Sequence, residues 1–191
     1  MQAFLVSIAG VALGELGDKT QLLALILATQ LRRPLPIILG ILVATTANHL
    51  LAAALGQWAG SLLNPQILRW ILGISFIALA VWVLIPDKLD GAPRAADGYG
   101  AFMVTATTFF MAEMGDKTQI VALALAAKYH DLLAVVAGTT IGMMIVNVPT
   151  VLLAQHVTRV VPLKWIRIAA ALVYALLGVL TLTGRAGLGI G

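Results

Sequence analysis

Residues 15–21 read ELGDKTQ and residues 113–119 read EMGDKTQ, each inside a long apolar run. An acid in the middle of a membrane-length segment costs roughly 2.5–3.5 kcal/mol on insertion scales, so such acids are kept for function. Half of the eight acidic residues in the chain fall here, as Glu15, Asp18, Glu113 and Asp116. The other four, Asp87, Asp90, Asp97 and Asp131, sit between apolar runs or at the edge of one. Two such pairs, 98 positions apart, mark a binding site before any fold is argued.

Composition agrees with a bilayer as the solvent. The chain of 191 residues is 61% hydrophobic and 10% charged, whereas a soluble domain carries about 25% charged residues. There is no cysteine, which removes disulfides, thiolate metal sites and thiol nucleophiles. The net charge of +4 is scattered over loops and is no nucleic-acid footprint. The N-terminus lacks the basic region and cleavage site of a signal peptide and enters an apolar segment directly.

Six apolar segments follow one another: Ala3–Thr29, Leu35–Leu55, Ile67–Ile85, Ala101–Ala127, Leu132–Gln155 and Leu163–Thr183. Each is close to or beyond the roughly 20 residues that a helix needs to cross the hydrocarbon. Helices are expected because backbone groups facing lipid must be satisfied within their own segment. The breaks are Arg32-Arg33-Pro34, Asn64-Pro65, Pro86-Asp87-Lys88, Lys128–Asp131 and Arg159–Pro162. Seven basic residues lie after segments one, three and five (Arg32, Arg33, Lys88, Arg94, Arg159, Lys164, Arg167), against Arg69, Lys128 and Arg185 on the other side. That bias predicts odd loops in the cytoplasm and both termini outside. Trp58, Trp70, Trp82 and Trp165 fall near segment ends, as interfacial anchors do.

The halves are copies of each other. Between 15–30 and 113–128, ten of sixteen positions are identical. Weaker echoes are Gly40 with Gly138, Gln57 with Gln155, and Arg69-Trp70-Ile71 with Lys164-Trp165-Ile166. Three spans per copy is an odd number, so the second copy is expected upside down, with binding near the midplane. The expected fold is therefore an all-α integral membrane domain of six transmembrane helices in two inverted three-helix repeats. Residues 1–85 form one repeat and 101–191 the other, joined by a cytoplasmic linker at 86–100.

On a helix, Glu at i and Asp at i+3 share a face, so both carboxylates of a motif can reach one ion. Gly17 and Gly115 allow close packing or a local helix break, which would free backbone carbonyls as further oxygen ligands. Thr20, Gln21, Thr118 and Gln119 add neutral oxygens in the next turn. A donor set of hard oxygens suits Ca²⁺, Mn²⁺ or Mg²⁺ and not Cu(I) or structural zinc. Four carboxylates less Lys19 and Lys117 leave two negative charges, which match one divalent cation or two protons. Crowded buried carboxylates then take up protons when no cation is present, and cation–proton exchange follows from that competition. The plain alternative is a buried ion pair, Glu15–Lys19 and Glu113–Lys117, holding helices together, but it leaves both aspartates unexplained. The lysines are read as pairing or tuning groups rather than transported-proton carriers.

A doubled E-x-G-D-K-[TS] motif on the first and fourth of six helices resembles the family of manganese/calcium–proton exchangers, which includes bacterial manganese exporters and the Golgi manganese transporter. The likeness covers the whole chain. It implies a midplane site for the transported Mn²⁺ or Ca²⁺ built from Glu15, Asp18, Glu113 and Asp116, with divalent metal ions and protons as partners and no separate cofactor. It also implies export of Mn²⁺ from the cytosol. The absence of the targeting segment and long central loop of many eukaryotic members points to a bacterial inner membrane.

Other polar residues lie inside the spans. Asn48 and Asn147 are either further oxygen ligands or interhelical hydrogen-bonding groups. His49 is a candidate proton carrier, but the aligned residue is Asn147, which favours a packing role. Pro149 is expected to kink span five and free the carbonyl of Ile145. Thr45, Thr46, Thr139 and Thr140 are expected to bond back to their own helices. Competing functions are a small-metabolite exporter and an intramembrane enzyme with paired carboxylates. The first needs an organic-sized cavity, and the second needs an acid pattern that is not present. No nucleotide motif suggests coupling to ATP.

Overall fold

The structure, a computed structural model, describes residues 1–85, 100–154 and 163–184. Most of the linker (86–99), Gln155 and the break at Arg159–Pro162 lie outside the described residues, as do the side chains of Lys164 and Ile166. Among the described residues the regular structure is entirely helical. The helices are α1 (Gln2–Glu15), α2 (Lys19–Leu31), α3 (Pro34–Leu62), α4 (Pro65–Trp82), α5 (Ala101–Glu113), α6 (Lys117–Tyr129), α7 (Leu132–Leu153) and α8 (Leu163–Leu182).

The first and fourth apolar segments are each two half-helices, so the expected i, i+3 face does not exist. The reason is local. Leu16 at φ −61°, ψ 112° and Gly17 at φ 78° form the corners of a type II turn, closed by the Asp18 N–H on the Glu15 carbonyl at 3.0 Å. Met114 at φ −61°, ψ 124° and Gly115 at φ 73° repeat it, with the Asp116 N–H on the Glu113 carbonyl at 3.0 Å. The second corner needs positive φ, which glycine adopts without steric cost. The downstream halves also end alike: Arg32 and His130, one repeat apart, both take φ 51° and donate their N–H back to Ala28 and Ala126.

Three helices, α3, α4 and α7, are each long and apolar enough to cross a membrane; α1 and α5 are shorter apolar helices. A 14-residue helix such as α1 rises about 21 Å, less than the roughly 30 Å of hydrocarbon, so it needs its other half. The second segment is longer than expected: α3 runs on to Leu62, because Gln57 and Ser61 are polar without breaking a helix, and the stop comes at Asn64-Pro65. Pro149 sits inside α7 without ending it.

The halves interlock. Helix α1 packs on α7, α5 packs on α3, and the two long helices α3 and α7 touch each other. Glycines set both crossings: a Cβ on Gly138 would lie 2.5 Å from the Phe4 carbonyl and 2.7 Å from the Ser7 Cβ. A Cβ on its repeat partner Gly40 would lie 2.9 Å from the Phe102 carbonyl and 2.8 Å from the Thr105 Cβ. Phe4 and Ser7 are themselves the repeat partners of Phe102 and Thr105, so one helix crossing is built twice. Helix α4 lies along α8. The outward surface carries exposed apolar side chains, Leu35, Leu55, Ile74, Ile145, Leu172 and Leu176 among them, and all four tryptophans. Such a coat suits lipid, not water.

Candidate functional site

The two type II turns bring the motifs together across the halves. Lys19 Nζ stands 2.9 Å from Asp116 Oδ1, and Lys117 Nζ 3.1 Å from Asp18 Oδ1. Each lysine thus pairs with the aspartate of the other copy, and the i, i+4 pairing within one helix does not organise the site. Asp18 and Asp116 open α2 and α6, yet neither side chain caps its helix, which leaves the carboxylates to the lysines.

The capping work is done by the glutamines. Gln21 Oε1 accepts from the Gly17 N–H at 2.7 Å, and Gln119 Oε1 accepts from the Gly115 N–H at 2.7 Å. Gln21 Nε2 donates to Thr150 Oγ1 on α7 at 3.1 Å. These oxygens, read from the sequence as possible ligands, serve here to hold the turns shut. The Thr20 and Thr118 hydroxyls donate to Glu15 Oε1 and Glu113 Oε1, and each also reaches its own aspartate, at 3.5 and 3.4 Å.

Both glutamates are fully buried. Glu113 and Asp18 act electrostatically on Glu15, so the two copies share one field. Asn147 Nδ2 donates to Glu15 Oε1 at 3.1 Å and to the Met143 carbonyl at 3.2 Å. On the other side the corresponding place belongs to His49, whose Nε2 is 3.6 Å from Glu113 Oε1. Asn48, one position earlier, donates its amide to the Phe110 carbonyl at 2.9 Å. Among the described residues, four buried carboxylate and amide oxygens have no hydrogen-bond partner: Glu15 Oε2, Glu113 Oε2, Asn48 Oδ1 and Asn147 Oδ1. An all-acceptor set of this kind is completed by a proton or a cation. Among the described residues no three His, Cys, Asp or Glu side chains stand close enough to hold a metal ion as they are.

Sequence reasoning undervalued four neighbours. His49 was legible, because the repeat interval maps it onto Asn147. Arg167, which donates from Nη2 to the Gly17 carbonyl at 3.1 Å, stands one repeat from Arg69; aligning the tryptophans instead concealed this. Trp82 is more than an anchor, since its ring lies 5.9 Å from Lys117 Nζ. Tyr174 of α8 donates its hydroxyl to the Gly10 carbonyl at 2.7 Å, and nothing in the sequence signals it. Thr46 and Thr139 bond back to their helices at 2.7 and 2.9 Å, but the Thr45 and Thr140 hydroxyls do not. They lie buried without partners, which corrects the expectation for that pair.

Comparison with known proteins gives concordant matches. The chain is 48% identical over 182 residues to a protein of Vibrio cholerae serotype O1 named "Putative manganese exporter", covering 95% of this chain and 90% of that one. No solved structure matches. The model of the family described as "Divalent cation/proton antiporter GDT1" matches residues 3–91 and again 101–187, two stretches whose starts are one repeat apart. The chain is a multi-pass membrane protein and belongs to the GDT1 family of divalent cation/proton antiporters.

Proposed function

We propose that this antiporter exports Mn²⁺ from the cytosol of a bacterium in exchange for protons, from the inner membrane and with both termini outside. The observation that carries the reading is the pair of fully buried glutamates, each with an unpartnered Oε2, brought together at duplicated helix breaks. The cross-paired lysines neutralise the two aspartates, so the surplus of two negative charges falls on Glu15 and Glu113. Two protons or one divalent cation balance it. Entry of the cation releases two protons and draws Asp18 and Asp116 from their lysines, which completes an oxygen shell for a hard ion. Manganese as the cargo is supported by the name of the Vibrio cholerae relative.

The same reading makes the chain six spans in two inverted repeats, the first and fourth discontinuous. Support comes from three segments per half and from the matched crossings of α1 on α7 and α5 on α3. Half-helices with a site at the break are the usual plan for ion sites in such transporters. Purified protein in proteoliposomes with an imposed pH gradient should take up Mn²⁺ without ATP, with Ca²⁺ and Mg²⁺ as comparators. Uptake indifferent to the proton gradient would leave a uniporter or channel instead.

A further inference from the structure

We infer that His49 is a ligand of the transported cation and the residue that tilts the site towards Mn²⁺ over Ca²⁺ and Mg²⁺. This rests on the reading of Glu15 and Glu113 as the cation site. The imidazole is fully buried, and neither ring nitrogen has a hydrogen-bond partner. A buried polar group left in that state costs about 1–3 kcal/mol, and a well-packed site removes such a cost unless something else uses the group.

Its nearest acidic atom does not satisfy it. Nε2 is 3.6 Å from Glu113 Oε1, too far for a hydrogen bond. Two atoms at that separation, each about 2.2 Å from a common ion, subtend about 110° at the ion, within reach of ordinary coordination geometry. Glu113 Oε2 and the Asn48 oxygen beside it are unpartnered as well.

The other half supplies the control. There the corresponding residue is Asn147, and it does make the hydrogen bond to its glutamate, Glu15 Oε1, at 3.1 Å. An amide is therefore sufficient to orient the carboxylate, and the imidazole is placed differently from an orienting donor. Ca²⁺, Mg²⁺ and Mn²⁺ all favour oxygen ligands, but Mn²⁺, as the first ion of the Irving–Williams order, tolerates an imidazole nitrogen better than the two hard ions do. One nitrogen in an otherwise oxygen site is the smallest change that separates these ions.

The test uses the full-length protein, purified and loaded with Mn²⁺, and reads ¹⁴N modulation of the Mn²⁺ electron spin echo. Modulation from a directly bound nitrogen is expected in the natural protein and should vanish in His49→Asn while Mn²⁺ still binds. His49→Gln reads the same if the first variant does not fold. Competition with Ca²⁺ should show the ratio of Mn²⁺ to Ca²⁺ affinity falling about tenfold, or 1.4 kcal/mol, in the variant. Full Mn²⁺ occupancy without ¹⁴N modulation, or modulation that survives the substitution, overturns the assignment of His49 and leaves the carboxylate site standing. A natural protein that binds no Mn²⁺ overturns both.

Discussion

The two copies of the motif have the same backbone and different surroundings. Their turns agree within a few degrees at Gly17 and Gly115, and both glycine amides are held by a glutamine at 2.7 Å. Yet Gly17 is buried and its carbonyl is held by Arg167, whereas Gly115 is exposed, with no atom within 4 Å of where a Cβ would stand. The lysines differ in the opposite sense: the Lys19 side chain is 26% exposed and that of Lys117 only 3%. The difference comes from the third segment of each half. Helix α8 packs on α1, before its break, and α4 packs on α6, after the other break. Six shared residues determine a turn, but what covers that turn is decided by helices in which the repeat has diverged.

The largest expected effect tests the sameness. Glu15→Gln and Glu113→Gln each remove one charge and one exchangeable proton that the other copy does not replace. Both should reduce proton-driven Mn²⁺ transport by more than about a hundredfold, equivalent to roughly 2.7 kcal/mol or more. Transport assays on folded variants would check this, and a Glu15→Gln protein that still transports would make the first copy a scaffold for the second. Next comes pH. A cation that displaces a proton from each glutamate binds up to about a hundredfold more weakly per unit fall in pH, because protons compete for the charged form. Displacement from one glutamate alone gives about tenfold. Mn²⁺ binding between about pH 5.5 and 8, with proton release in weak buffer, therefore counts whether both copies titrate, and a flat profile denies the exchange altogether.

The lysines should separate the copies. Lys117→Met takes the ammonium away from Asp18 in a buried place, and breaking a buried pair costs about 3–5 kcal/mol. Lys19→Met should cost less, since that lysine is 26% exposed and water already screens its pair with the buried Asp116. Thermal unfolding in detergent would rank them. The double change Lys117→Met with Asp18→Asn should recover part of the loss, and no recovery would show that Lys117 acts through Trp82 or another neighbour instead.

Much of this was legible before any coordinates. The six segments end within a few residues of the expected places, save for the long tail of α3, because prolines and charges in the breaks act locally. The four acids were conspicuous because an acid inside an apolar run has few bland explanations. Crossed pairing of Lys19 and Lys117 was not legible, since on a continuous helix Glu15, four residues back, is the acid facing Lys19 and only the meeting of two segments brings Asp116 to it. The helix break was half legible: a glycine permits it, but the glutamine that holds the turn reads in sequence as one more polar side chain.

The smallest effect concerns Arg167, and it decides whether the asymmetry is fixed. Arg167→Ala removes a charged donor from the Gly17 carbonyl, a bond worth about 1.5–3 kcal/mol in general and less at a half-buried arginine. Hydrogen exchange at the first turn should rise, by about tenfold, towards that of the second. Arg69 holds the same repeat position, but its guanidinium lies near Gly184 rather than Gly115, so Arg69→Ala should leave both turns as they are under the same conditions. A transporter with two copies of one site and two sides to serve gains from covering each copy in turn. Protection should therefore pass to the second turn, in a manner that needs Arg69, as Mn²⁺ and protons are varied. If the Gly115 turn exchanges freely under every such condition, the copies do not trade places, and the cover over Gly17 is a permanent feature of the fold.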